Sequence, residues 1–95
     1  MSEIERNRAL RLAPGCRLSN AEGQEDVLLM PESAMRLNGP ARAILSLCDG
    51  ARTLDGIVEE LKRMYPTADA ARIETETADL VRRLHDRGAV EQVVV

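Results

Sequence analysis

The sequence predicts a small α+β domain of winged-helix-like type, with an N-terminal three-stranded antiparallel sheet followed by a three-helix bundle. Three observations lead there. The chain has 95 residues, the size of one domain with one core. Short β-prone runs broken by turn residues fill about the first forty positions, and from Ala41 onward apolar residues recur at helical spacing.

Residues 1–8 are polar and read as a flexible tail, with a single domain over residues 9–92 and a C-terminal end at 93–95. Pro14-Gly15 marks a turn, after which residues 16–18 form a first strand. The polar loop at residues 19–25 leads into a second, Val27-Leu28-Leu29-Met30. Pro31 lacks the amide a ladder needs and turns the chain with Glu32 and Ser33, so Ala34-Met35-Arg36-Leu37 returns as the third strand of a meander.

At Asn38-Gly39-Pro40 the period changes, with Asn38 or Gly39 as cap and Pro40 in the first turn, where a missing N–H costs nothing. The first helix carries the stripe Ala41, Ile44, Leu45 and Cys48, and Gly50 is expected as its left-handed cap. Thr53 caps a second helix with the stripe Leu54, Ile57, Val58, Leu61 and Met64, which Pro66 stops. Thr67 or Asp69 opens a third, with Ile73, Thr77, Leu80, Val81 and Leu84 on one face and Gly88 at its end. Glu59 with Arg63 and Asp79 with Arg83 are spaced for exposed ion pairs. The β-prone residues 89–95 either add a strand or fray.

Composition narrows the function. The chain has no Phe, no Trp and one Tyr, so it offers no aromatic platform for stacking bases. A net charge of −3, with Glu74, Glu76 and Asp79 among the arginines of the third helix, argues against a nucleic-acid partner. No run approaches the roughly 18 apolar residues of a membrane span, and the first residues lack a signal peptide's apolar stretch. A cytoplasmic protein without a membrane partner is expected. Cys16 and Cys48 belong to no CxxC pair and read as buried reduced thiols, with a disulfide or half of a metal site as the alternatives. His85, the sole histidine, falls in the last turn of the third helix, where a cation complements the helix dipole. No nucleophile with a base, phosphate loop or metal spacing stands out, so no cofactor, metal or catalytic residue is expected and binding is the default.

One feature suggests a kind of binding. The third strand lies at the margin of its meander and lacks the lysines or internal proline that blunt such edges. An extended peptide fits there; so does the N-terminal arm, the terminal valines, or a second copy of the chain in a homodimer.

The residues also carry a family resemblance. Arg11-Leu12-Ala13-Pro14-Gly15, Val27-Leu28-Leu29 with Pro31-Glu32, Leu37-Asn38-Gly39-Pro40-Ala41, Ile44-Leu45, Cys48-Asp49-Gly50, Arg52-Thr53 and Ile57-Val58 resemble the pattern of the PqqD family over roughly residues 8–92. The loop at residues 19–26 departs from it in lacking the tryptophan often found there. The resemblance implies a RiPP recognition element, a non-catalytic peptide chaperone of pyrroloquinoline quinone (PQQ) biosynthesis. Such an element captures the precursor peptide PqqA as an added antiparallel strand and presents it to the radical SAM enzyme PqqE. Carried onto this chain, Ser33, Ala34, Met35, Arg36 and Leu37 would pair with the peptide, and Glu76, Leu80 and Arg83 of the third helix would line its groove. The helix pattern alone also permits a winged-helix DNA-binding regulator, and an enzyme subunit using Cys48 or His85 is the third reading.

Overall fold

Alternation and periodicity are both visible in the computed structural model, which describes residues 4, 5, 7–19, 26–37 and 40–93. Among these, six strands and three helices follow the order β1 (Ala9–Leu12), β2 (Arg17–Ser19), β3 (Val27–Met30), β4 (Ser33–Arg36), α1 (Ala41–Ser46), β5 (Asp49–Thr53), α2 (Leu54–Met64), α3 (Ala70–Asp86) and β6 (Val90–Gln92). The tip of the expected first hairpin and the expected caps Asn38 and Gly39 lie outside the described residues.

The expected meander is present as the antiparallel sheet β2-β3-β4, starting one residue later than Cys16. Its β4 runs over Ser33–Arg36, so Leu37 lies just past the strand. A second antiparallel sheet, β5-β1-β6, was not expected as such. Here the β-prone C-terminus pairs with β1 (Leu10↔Gln92, Leu12↔Val90), and β5 takes the other side of β1. Asp49-Gly50-Ala51-Arg52-Thr53 has poor intrinsic strand character, and its extended form comes from pairing with β1. Between Ala9↔Thr53 and Arg11↔Asp49 the register shifts, and β5 bulges. Gly50, at φ 84°, sits in this bulge, which corrects its expected place as a helix cap: α1 has already ended at Leu47. Pro40 is the N-cap of α1 and not part of its first turn.

The helices fit a bundle less well than the sequence suggests. The first has only six residues, and β5 separates it from α2, so the three do not form a clear three-helix bundle. The other two follow their expected signals, except that Met64, expected on the α2 stripe, lies in the last turn and is exposed. Thr53 Oγ1 accepts from the Gly56 N–H at 3.1 Å, Asp69 Oδ1 accepts from the Ala71 N–H at 2.9 Å, and both helices end before Pro66 and Gly88 respectively. Gly88 has φ 79°, the left-handed conformation that ends a helix most cheaply with glycine. The surface pairs slip by one position: Lys62 meets Glu59, Arg63 meets Glu60 and Arg82 meets Asp79, in place of Glu59–Arg63 and Asp79–Arg83. Exposed as they are, these pairs contribute little.

The core joins Leu10 and Val90 of the sheet β5-β1-β6, with Ala89 next to β6, to Leu28 of the meander through Ile44, Leu45, Ile57, Leu61, Val81 and Leu84 of the helices. Ile4, within the segment expected as a tail, packs against it. Because Asp69 satisfies amides of the first turn of α3, Asp69→Ala is expected to lower stability by about 1 kcal/mol in urea titration. An unchanged midpoint would mean that the cap contributes nothing.

Candidate site along β4 and α3

The strand β4 pairs with β3 on one side, and no described strand pairs with it on the other. Its register, Leu28↔Met35 and Leu29↔Ala34, continues into a bond from the Leu37 N–H to Asp26 O at 3.0 Å. Antiparallel pairs alternate between exchanging hydrogen bonds and turning away from each other. Since 37 and 26 exchange one, so do Met35 and Leu28, whereas the main-chain N–H and C=O of Ala34 and Arg36 point toward the open margin. Side chains alternate with the same period. Met35 is half-buried on the core face opposite fully buried Leu28, and Ala34 and Arg36 are exposed on the other.

Beside this margin lies α3. Met35, Leu80, Arg83, Leu84, Asp86 and Arg87 enclose a hollow of about 260 Å³ between strand and helix. Its apolar contribution comes from Met35, Leu80 and Leu84, and Arg83, Asp86 and Arg87 supply the charges around it. Arg87 closes one end, donating from Nη1 to Met35 Sδ at 3.8 Å. A second hollow of about 260 Å³ follows along the helix, bounded by Pro40, Ala41, Ile44, Glu76, Asp79, Leu80 and Arg83. The two share Leu80 and Arg83 and so adjoin along the helix.

The sequence-chosen residues divide accordingly. Ser33 and Ala34 are exposed, Met35 is half-buried and Arg36 exposed, all on β4. Leu37 is 8% exposed and belongs to the core, its amide engaged by Asp26. Leu80 and Arg83 border both hollows. Glu76 lines the second but not the first, and Arg72 Nε donates to its carboxylate at 2.8 Å, an interaction that also raises the guanidinium pKa. Leu84, which the sequence places on the core stripe of the third helix, and Arg87, which it does not single out, also line the trough, four residues on from Leu80 and Arg83 respectively. Pro40 and Ile44 gave no sequence signal for a site, because their helix reads as core.

Neither cysteine forms a disulfide; Cys48 is buried as expected, whereas Cys16 is only half-buried. Cys48 is 6% exposed with its Sγ donating to Ile44 O at 3.5 Å. Burial, aided by the charge of Asp49, pushes its thiol up to about 12. Asp49 itself is held below the usual carboxylate range, first by the Ala51 N–H at 2.9 Å and also by the Arg52 side chain. Such a thiol is a poor nucleophile. Cys48 is therefore expected to resist a thiol-specific reagent at pH 8 in the native protein and to react fully in denaturant; rapid native labelling of Cys48 would contradict the burial. Among the described residues no group of three or more His, Cys, Asp or Glu is placed to hold a metal, and no helix is long and apolar enough to cross a membrane.

Comparison with known proteins bears on this arrangement. The profile of the family described as Coenzyme PQQ synthesis protein D (PqqD) matches residues 25–90. A PqqA binding protein of Methylococcus capsulatus is 36% identical over 86 residues, covering 90% of this chain and 89% of that protein. One of Azotobacter vinelandii is 34% identical over 92 residues, covering 96% and 98%. Among solved structures, the PqqD part of Methylobacterium extorquens PqqCD, described as a functional stand-alone RiPP recognition element, superposes with a TM-score of 0.74 at 31% identity. That alignment covers 94% of this chain and 95% of that one. The heterocyclase TruD shares the fold, with a TM-score of 0.60 at 24% identity over 90% of this chain and 12% of its own.

Proposed function

Because the chain belongs to the PqqD family, we propose that it is a non-catalytic chaperone of PQQ synthesis that captures the precursor peptide PqqA by strand addition and holds it for the radical SAM enzyme PqqE. The observation that supports this most is the juxtaposition of an open β margin with an apolar trough. A peptide strand beside β4 meets the main-chain groups of Ala34, while every second side chain turns toward Met35, Leu80 and Leu84. The fold reads as winged-helix-like, with the β2-β3-β4 meander supplying the docking edge, and the protein as working in the cytoplasm.

Main-chain bonds at about 1 kcal/mol net and apolar anchors at about 2 kcal/mol each are opposed by about 1 kcal/mol of ordering per peptide residue, so pocket burial decides the affinity, which is expected to be moderate. That suits a carrier, which must also release its cargo. Holding peptide and enzyme together raises the local substrate concentration without any chemistry by the carrier.

Titration of isotope-labelled protein with PqqA, followed by NMR, tests the reading. Amide shifts should concentrate at Ala34, Met35, Leu80, Arg83 and Arg87. Shifts confined to the sheet β5-β1-β6 would overturn it.

A further inference from the structure

The trough does not stop where β4 does. Beyond its middle section, Pro40, Tyr65, Ala68, Asp69, Arg72, Ile73 and Glu76 enclose a third hollow of about 560 Å³. It shares Pro40 and Glu76 with the middle section, as that shares Leu80 and Arg83 with the hollow beside Met35. Along α3 and its two caps the bordering residues run 69, 72, 73, 76, 79, 80, 83, 84, 86 and 87, and within them 69, 73, 76, 80, 83 and 87 follow at alternate steps of four and three that trace one strip along the helix. The facing wall passes in turn from β4 to the start of α1 and then to Tyr65 at the end of α2.

Length and chemistry both bear on what fills the far end. With 17 residues, α3 is about 26 Å long at 1.5 Å per residue. At about 3.3 Å per residue that accommodates roughly eight extended residues, whereas the four residues of β4 can pair with only about half of them. Pro40, Tyr65, Ala68 and Ile73 give the hollow a largely apolar lining, and the Glu76 carboxylate at its border is already held by Arg72. Tyr65 and Met64 are 43% and 47% exposed, the large hydrophobic side chains left most open to water among the described residues. Of the two, Tyr65 borders the hollow, where its exposed ring is open to a ligand.

We propose that the Tyr65 hollow is a second anchoring subsite for the same precursor peptide, taking a bulky apolar or aromatic side chain from the segment that runs on beyond the strand paired with β4. The proposal rests on the strand-addition reading above. It makes the trough a two-point ruler: the backbone is held at β4, and a side chain some four residues away is held between α2 and α3. A peptide with the pairing segment alone would bind more weakly than one with both.

The test combines two variants with full-length PqqA and PqqA shortened stepwise from either end, using calorimetry and thermal melts. Tyr65→Ala, at an exposed position, should leave the melting temperature unchanged and weaken full-length PqqA about tenfold. One truncation should weaken binding to the wild-type protein by a similar factor and abolish the effect of Tyr65→Ala. Ile73→Ser should reproduce the loss. If Tyr65→Ala and Ile73→Ser bind PqqA like wild type while Ala34→Pro does not, the second subsite is overturned and strand addition stands. If Ala34→Pro also binds normally, the underlying reading falls as well. Unchanged PqqA affinity with loss of PqqE association in Tyr65→Ala would assign the hollow to the enzyme and equally overturn the proposal.

Discussion

Ala34→Pro is expected to weaken PqqA binding by tenfold or more while leaving the fold in place. The main-chain N–H of Ala34 points to the open margin of β4, so proline there deletes a donor that only an added strand would use, and its ring obstructs the approach of that strand. Loss of one such bond alone is about 1 kcal/mol, and the steric obstruction adds to it. At Met35 the same substitution would be a different experiment. The Met35 amide faces Leu28, so proline there breaks the ladder within the sheet and confounds binding with folding. Calorimetry for affinity and circular dichroism for the fold separate the two; wild-type affinity in a folded Ala34→Pro protein would contradict docking at this edge.

The second large effect concerns the frame that carries α3. Leu10 is 0% exposed on β1, the central strand of β5-β1-β6, and Leu10→Ala is expected to cost about 2–5 kcal/mol through lost burial and the cavity left behind. A small domain has about 5–15 kcal/mol in all, so this variant should unfold at markedly lower urea concentration. It should lose peptide binding in proportion to the unfolded fraction. A loss below about 1 kcal/mol would show that β1 is not part of the cooperative core.

What the sequence disclosed and what it withheld follow from range. The caps Thr53 and Asp69, the stripes of α2 and α3 and the stop at Gly88 are local signals, each decided within a few residues, and the structure has them as expected except that Met64, at the end of the α2 stripe, is exposed. The sheet β5-β1-β6 depends on pairings such as Ala9↔Thr53 and Leu12↔Val90, between segments far apart in the chain, and neither the Asp-Gly start of β5 nor the short alternation of β1 announces a partner. Gly50 misled for the same reason: a glycine shortly after a helical stripe looks like a cap until a distant strand draws it into a bulge.

The site shows the same division. Pro31 and the run to Leu37 marked the margin strand, and Leu80 and Arg83 came as groove residues from the family resemblance. Which main-chain groups face outward depends on the register with β3, and the walls supplied by Pro40, Ile44 and Tyr65 come from elements that read as core or as helix ends.

Amide hydrogen exchange of β4 with and without PqqA reaches the central claim most directly. Peptide capture by strand addition predicts that the Ala34 amide exchanges quickly in the free protein and slows strongly when PqqA is bound, while the Met35 amide, already bonded to Leu28, changes little. Equal exchange at Ala34 in the free and peptide-saturated protein would contradict the account.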